Sequence, residues 1–406
     1  MKIIFIDWKC FNHDATIRTL QELGHQVIFY AHPEYNLPLS KSFNEDFSTF
    51  LFGKNVDLVF SYNFFPPVAE ACHKASLPYI SVVYDSPYVY LYSYTMMYET
   101  NHVYLFDSSW VRELNQGGLS QVRYAVLPSA THLSLPTGEN APDRVKADIS
   151  FVGALYNEAH NFYERMTEKA SDELKGYLEG ILSAQSLIYG SDILKPLMTP
   201  DVLARMHQAL PLEPDTTLAE PADYRYLNYV LHRKLTSMER FRYLQELGKH
   251  STQDSRVIKL FTLDSTTEIP GISNMGIAEY KTEMPLVFAN SRINLNITLR
   301  SITTGIPLRC MDIMSCGGFL LTNYQQDFSL HTIEADPAIS PEDPLSTSAF
   351  LPGVDYDYFD STESMLEKTD YYLSHEKERE EIAENGMRKV NAYYSLSSFF
   401  KRILPN

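Results

Sequence analysis

The feature that most restricts the fold lies at the start of the chain, where an apolar run, a short amphipathic stretch and a second apolar run follow one another. Lys2–Ile6 is short and wholly apolar after its lysine, as a buried strand is. Ala15–Leu23 spaces Ile17, Leu20 and Leu23 on one helical face, Gly24 closes it, and Gln26–Tyr30 reads as the next strand. This is a βαβ unit in sequence form. Further strands are expected at Val56–Ser61, Tyr79–Tyr84 and His102–Phe106, with helical stretches between them. Such alternation implies an α/β protein with a parallel, doubly wound sheet.

At 406 residues the chain is too long for one ordinary core. A polar, proline-containing stretch, Leu127–Arg144, reads as an interdomain linker. The strand pattern restarts at Ala147–Val152. It gives way to helical periodicity over about 158–248, a helical insertion, and resumes at Arg256–Thr262, Arg292–Ile297 and Phe319–Thr322. Acidic helices are expected near Ser364–Leu373 and Glu376–Glu384, the second ended by Asn385 and Gly386, before a final aromatic helix. The expected domains are 1–130, 145–385 with its insertion, and a closing helix within 386–406 that crosses back to the first domain.

A net charge of −17 disfavours nucleic acid as a partner, because an acidic surface repels phosphate backbones. The 28 Tyr and 22 Phe read mainly as core and strand residues. Cys10, Cys72, Cys310 and Cys316 are dispersed and suggest neither a zinc site nor a disulfide framework. No apolar stretch approaches the ~18 residues of a membrane span, and the opening run is too short for a signal peptide. The expected compartment is the cytoplasm.

Chemistry concentrates in Ser291–Asp327, SRINLNITLRSITTGIPLRCMDIMSCGGFLLTNYQQD. A strand bearing Asn294 and Asn296 runs into a loop with Arg300, Thr303, Thr304 and Gly305, then into a helix near Pro307; the next strand leads to Asn323. The amides of Gly305 and Ile306 can receive a phosphate at the helix start. Arg300 and Arg309 can neutralise a diphosphate, and Asp312 can accept from a ribose or sugar hydroxyl pair. Equally, Arg309 and Asp312 can form a surface ion pair beside turn glycines. Gly153, after its strand, could face the phosphates or simply turn the chain.

Elsewhere, His13 and Asp14 could form a base with its orienting carboxylate, or the start of a capped helix. Asp85, Ser86 and Asp107 end strands where an acceptor-side group or a turn former would sit. Glu239 and Arg240 read as a helix-surface pair. Asp355 and Asp357 have the spacing of a metal clamp but sit in a tyrosine-rich run, and no metal is expected.

The segment INLNITLRSITTGIPLRCMDIMSCGGFLLT resembles the donor-binding region of CgeB-like, spore-maturation-type bacterial glycosyltransferases. The similarity takes in FVGALYNE, GYLEGILSAQ, Met284–Phe288 and YYLSHEKEREEIAENG, and so most of the second half; VVYDSP at Val82–Pro87 matches more loosely. The resemblance implies a GT-B fold of two Rossmann-like domains, with a nucleotide-sugar donor on the C-terminal one and the acceptor on the N-terminal one. MDIMSCGG is similar to a stretch of retaining enzymes in which Asp312 takes the place of the ribose-holding acid. The acid expected eight positions earlier is Thr304 here, and Tyr394-Ser395 stands where a His-Thr pair is common. The implied function is metal-independent hexosyl transfer, with retention, from a nucleotide-diphosphate sugar to a glycan, protein or cell-surface acceptor. A sugar-nucleotide-binding scaffold and a GT-B-fold sugar-nucleotide epimerase are the alternatives.

Overall fold

The structure, a computed structural model, describes residues 1–130 and 135–405, with only the backbone described for 252–254. Part of the expected linker, residues 131–134, lies outside the described residues. The chain divides into two compact units. Unit 1 comprises Met1–Pro128, Glu213–Tyr224 and Leu396–Asn406; unit 2 comprises Ser129–Leu212 and Arg225–Ser395.

Unit 1 holds strands β1 (Lys2–Ile6), β2 (Gln26–Tyr30), β3 (Leu58–Tyr62), β4 (Tyr79–Val83), β5 (Asn101–Leu105) and β6 (Val122–Tyr124). They form one parallel sheet in the order β2-β1-β3-β4-β5-β6. Helices α1 (His13–Glu22), α2 (Lys41–Leu51), α3 (Pro66–Lys74) and α4 (Ser108–Gln116) cross between strands. Strands β3 and β4 are buried at every residue, which is why they read as continuous apolar runs. Ile4, Val59, Phe43, Phe47 and Val68 lie in the core of this unit.

Unit 2 begins with β7 (Ala147–Val152). The insertion follows as α5 (Phe162–Thr167), α6 (Asp172–Gln185), α7 (Leu194–Leu197), α8 (Pro200–Ala209) and the long α9 (His232–Asp254), entered through a π-helical turn at Tyr226–Leu231. It has a core of its own, with Leu178, Leu182, Met206 and Leu231 fully buried. Residues 213–224, which the sequence places inside the insertion, belong instead to unit 1, where the Ala219 amide donates to the Tyr92 carbonyl at 2.9 Å. Strands β8 (Ile258–Phe261) and β9 (Ser273–Asn274) come next, then α10 (Met284–Ala289), β10 (Ser291–Asn296), α11 (Leu308–Ser315), β11 (Leu320–Asn323) and β12 (Asp357–Phe359). Their parallel sheet runs β12-β11-β10-β7-β8-β9. Helices α12 (Thr362–Ser374) and α13 (Glu376–Tyr393) cover it, and α14 (Leu396–Ile403) belongs to unit 1.

The α/β fold class expected from the sequence, two Rossmann-like sheets with a helical insertion in the second, is therefore present. The shortest strands, β6, β9 and β12, escaped sequence reading because two or three residues give no period. One helix end also differs. Gly386 does not terminate α13, which continues to Tyr393. A side chain at 386 would collide with the Asp355 backbone carbonyl, so this glycine serves close packing and not a stop. That carbonyl belongs to a buried connection: Lys389 Nζ pairs with Asp355 Oδ2 at 2.5 Å, both side chains fully buried. Asp357 is similarly spent on Lys368 (2.7 Å) and the Tyr372 hydroxyl (2.8 Å), so neither aspartate of the Asp-x-Asp spacing faces outward as a metal clamp.

Candidate functional site

In a doubly wound sheet, the strand order reverses at one point, and the strand-end loops there diverge to leave a crevice. In unit 2 that point lies between β7 and β10. The loops leaving their carboxyl ends are 153–161 and 297–307, and the second leads into α11.

Arg240, from α9, crosses this point. Its guanidinium donates to the Ile297 carbonyl through Nε (3.0 Å) and Nη2 (2.5 Å), and to the Ala154 carbonyl through Nη1. It also lies 5.3 Å from the Phe151 ring centroid and 5.1 Å from that of Tyr156. Both Glu239 and Arg240 are buried, at 1% and 7% exposure, which corrects their reading as a helix-surface pair. Burial holds the Arg240 pKa below its usual value, and the charge of Arg309 pushes the same way. Arg309 is thus close enough to Arg240 for the two charges to act on each other. Gly153 stands beside them; a Cβ there would lie 3.2 Å from the Phe151 ring and 3.6 Å from Arg240 Nη1.

Arg300 is a correction of the opposite kind. Its guanidinium grips Glu239, with Nε–Oε2 at 2.8 Å and Nη2–Oε1 at 2.6 Å, and donates to the Ile188 carbonyl at 2.9 Å. It lies over the Tyr189 ring at 4.0 Å. A guanidinium with these partners braces the strand-end loop against the insertion and has little left for a phosphate. Asn294 and Asn296 are likewise committed inward. Asn294 accepts from Ser150 (3.1 Å) and donates to the Phe288 carbonyl (3.0 Å), while Asn296 donates to Thr298 and Thr322. They join strands and do not line a crevice. Gly318 allows this packing, since a Cβ there would meet Asn294 Nδ2 at 2.6 Å.

The remaining candidates gather around α11. Thr304, Gly305 and Ile306 are buried and precede Pro307, which occupies the cap position and not the first helical turn. Arg309 rests 5.5 Å from the Phe288 ring centroid and against Met284 Sδ; among the described residues it makes no ion pair within 4.0 Å. The expected surface ion pair with Asp312 is absent there. Asp312 is 8% exposed, and the Ser129 hydroxyl donates to its Oδ1 at 3.2 Å. Burial pushes its pKa up to about 6, while Arg309 and Ser129 pull it down. At the end of β11, Asn323 accepts from the Thr298 amide at 2.7 Å. Among the described residues, its Nδ2 and Oε1 of Gln325 are buried without a partner. Ser129 and Gln325 go unnoticed in the sequence because nothing local marks them, and Arg240 is noticed only as half of a surface pair.

Unit 1 has its own reversal, between β1 and β3. His13 is the first residue of α1 and Asp14 the second; Asn12, in the left-handed region at φ 57°, holds the cap position without a side-chain cap bond. The carboxylate beside His13 is Asp7, at 3.3 Å from Nδ1, and not Asp14. The imidazole stacks on Phe29 with centroids 5.9 Å apart. Across the reversal, Asn63 donates to Asp85 at 2.7 Å, and burial raises the Asp85 pKa. Ser86 precedes Pro87 through a cis peptide. Asp107 caps α4, accepting from the amides of Ser109 (3.0 Å) and Trp110 (3.3 Å). It is 2% exposed, so its place is structural and not on an acceptor face.

Fold and crevice define a two-unit α/β protein whose second unit has the layout of a nucleotide-binding domain. Residues 264–404 match the family model described as "Glycosyl transferase-like", so the chain carries a glycosyltransferase-type domain and is a transferase enzyme. None of the curated proteins matches in sequence. Similar solved structures include Anabaena HepE in complex with UDP (9% identity, TM-score 0.45, 99% of this chain and 98% of that one). Others are a Rickettsia africae glycosyltransferase (11%, 0.46, 99% and 96%) and a Thermosynechococcus elongatus sucrose-phosphate synthase (11%, 0.47, 99% and 98%). Among the described residues, no three His, Cys, Asp or Glu side chains cluster as a metal site, and no helix is long and apolar enough to cross a membrane.

Proposed function

We propose that the protein transfers a hexosyl group from a nucleotide-diphosphate sugar to a hydroxyl-bearing glycan, protein or cell-surface acceptor, without a metal and with retention. The observation that supports this best is the pairing of Arg240 and Arg309 at the strand reversal of unit 2, beside the start of α11 and the buried Asp312. Arg309 and the first amides of a helix would stabilise a departing diphosphate, with the charge of the carbonyl-held Arg240 behind them, the task a metal performs elsewhere. Asp312 would hold a ribose hydroxyl pair, with Ser129 fixing one of its oxygens. Nδ2 of Asn323 and Oε1 of Gln325 offer a donor and an acceptor to the sugar. The CgeB-like subtype belongs to this reading as well.

The test is thermal denaturation with a panel of nucleoside diphosphates and their sugars. A ligand at 100 times its dissociation constant stabilises the fold by about 2.7 kcal/mol. A panel without any shift at millimolar concentration sinks the donor site. Incubation with the donor alone then separates the alternatives: an epimerase changes the sugar, a scaffold changes nothing, and a transferase hydrolyses it slowly.

The His13–Asp7 pair favours a second reading, inversion with His13 as general base, because a carboxylate fixes the ring for proton abstraction. The anomer of the product decides between the two.

A further inference from the structure

A further cavity of about 640 Å³ lies beside the crevice of unit 2, sharing Tyr156 and the loop after β7 with it, where this loop meets α5 and the beginning of α9. Its size suits a small saccharide. Three cations line it, Arg165, Arg233 and Lys234, and among the described residues none makes an ion pair within 4.0 Å. Each is instead held on aromatic faces. Arg233 lies 5.8 Å from the ring centroid of Tyr156 and 5.6 Å from that of Tyr229. Lys234 lies 5.0 Å from that of Tyr163, and Arg165 5.5 Å from that of Phe162. In the same unit Arg144, Arg205, Arg256, Arg292, Arg300 and Arg388 each hold a carboxylate.

The difference matters physically. A cation positioned by a ring face is kept in place while its charge and N–H donors stay available to a ligand. Two acids, Glu158 and Glu164, share the lining, but Glu164 Oε2 already accepts from the His160 amide at 2.9 Å. Three cations against two acids leave this concave lining slightly positive, in a chain of net charge −17. The loop that closes it holds Tyr156 at φ 53° and His160 at φ 57°, backbone strain of the kind that collects at ligand sites.

We propose that this cavity binds an acidic saccharide, a sugar carrying a phosphoryl or carboxylate group, with its anion on Arg233, Lys234 and Arg165. The saccharide part rests on the glycosyl-transfer reading; the anion part does not. The experiment is calorimetric titration of the whole protein, and of Arg233→Gln and Lys234→Gln, with glucose 6-phosphate, glucuronate, glucose and inorganic phosphate, using UDP as a control. At least one charged sugar should bind and glucose should not. Each substitution should weaken that binding about tenfold or more, as loss of a charged hydrogen-bond donor does, and leave UDP affinity unchanged. Preference for glucose 6-phosphate identifies the anion as phosphoryl; preference for glucuronate identifies a carboxylate. Should Arg233→Gln melt early, Lys234→Gln alone carries the test. Absence of charged-sugar binding, or binding indifferent to both substitutions, overturns the proposal. Equal affinity for inorganic phosphate overturns its saccharide part, and parallel loss of UDP affinity overturns the separateness of the cavity. If UDP fails to bind while a charged sugar binds through Arg233, the donor reading falls and this site stands.

Discussion

The two units reverse their strand order by the same topological device and furnish the result differently. In unit 1 the loops beside the reversal bring Asp7, His13, Asn63 and Asp85 together among aromatic rings: Trp8 stacks on Tyr84 at 6.0 Å and donates to the Tyr62 carbonyl. In unit 2, Arg240 reaches from α9 to the two strand ends, and Arg309 stands in the first turn of α11. The first has acids and a titratable base, the second cations and amides. A shared topology thus leaves the choice of chemistry to a few residues near the strand ends. Among the described residues, five of the seven non-glycine residues with positive φ (Lys9, Asn12, Asn63, Tyr156 and His160) lie in the loops beside these two reversals, so the strain is concentrated where the units differ.

The largest expected effect separates brace from site. Arg300→Leu leaves Glu239 buried without its partner and should destabilise the fold by about 3–5 kcal/mol. The double variant Arg300→Leu/Glu239→Leu should recover much of that loss. Chemical denaturation measures both; an unchanged midpoint in the single variant would return Arg300 to the candidate phosphate ligands.

A smaller effect is expected from Arg309→Ala, which should weaken nucleoside diphosphate binding by about 1.5–3 kcal/mol with little change in melting. Under the retaining reading, turnover of His13→Ala should fall less than that of Arg309→Ala. Near-complete loss in His13→Ala together with an inverted product, read by NMR, would reverse the roles of the two units' chemistry.

Asp312→Asn, whose effect vanishes at low pH, tests the electrostatics of the second crevice. The carboxyl pKa is raised from 3.8 to about 6 in the fold, so folding favours the protonated form. Its contribution to stability is complete below pH ~3.8 and is lost as pH rises through about 6. The asparagine variant, uncharged throughout, should be about as stable as the parent at pH 4 and more stable at pH 8, by about 3 kcal/mol. It should also bind ribonucleotides less well while binding 2′-deoxy analogues equally. A parent that gains on the variant as pH rises would contradict the buried-carboxylate account.

Much of this architecture is legible in the sequence, because parallel strands buried on both faces announce themselves as apolar runs. Lys2–Ile6 and Ala147–Val152 are found where such runs stand, and the edge strand Gln26–Tyr30, with only Tyr30 buried, follows from the βαβ pattern. The site is legible only as a segment. Loop 297–307 and α11 could be located, but the division of labour among arginines could not, since it depends on contacts distant in sequence. Arg300 finds Glu239 across the insertion, Arg240 reaches back to two strand ends, and Ser129 meets Asp312 from the other side of the linker. His13 offered a local signal that misled, since the neighbour in sequence, Asp14, is not its partner in space.

Unit 1 is assembled from three stretches of chain, and its last piece, α14, sets Phe400 against Phe60 at 5.3 Å and Phe399 against Tyr104 at 6.5 Å. On the ribosome, the first unit to emerge is therefore the last to be completed. Until residues 396–405 leave the exit tunnel, the aromatic surface of its sheet stays uncovered while all of unit 2 is being made. A nascent chain arrested before α14 should be a client for chaperones that grip exposed aromatic surface, and the released protein should not.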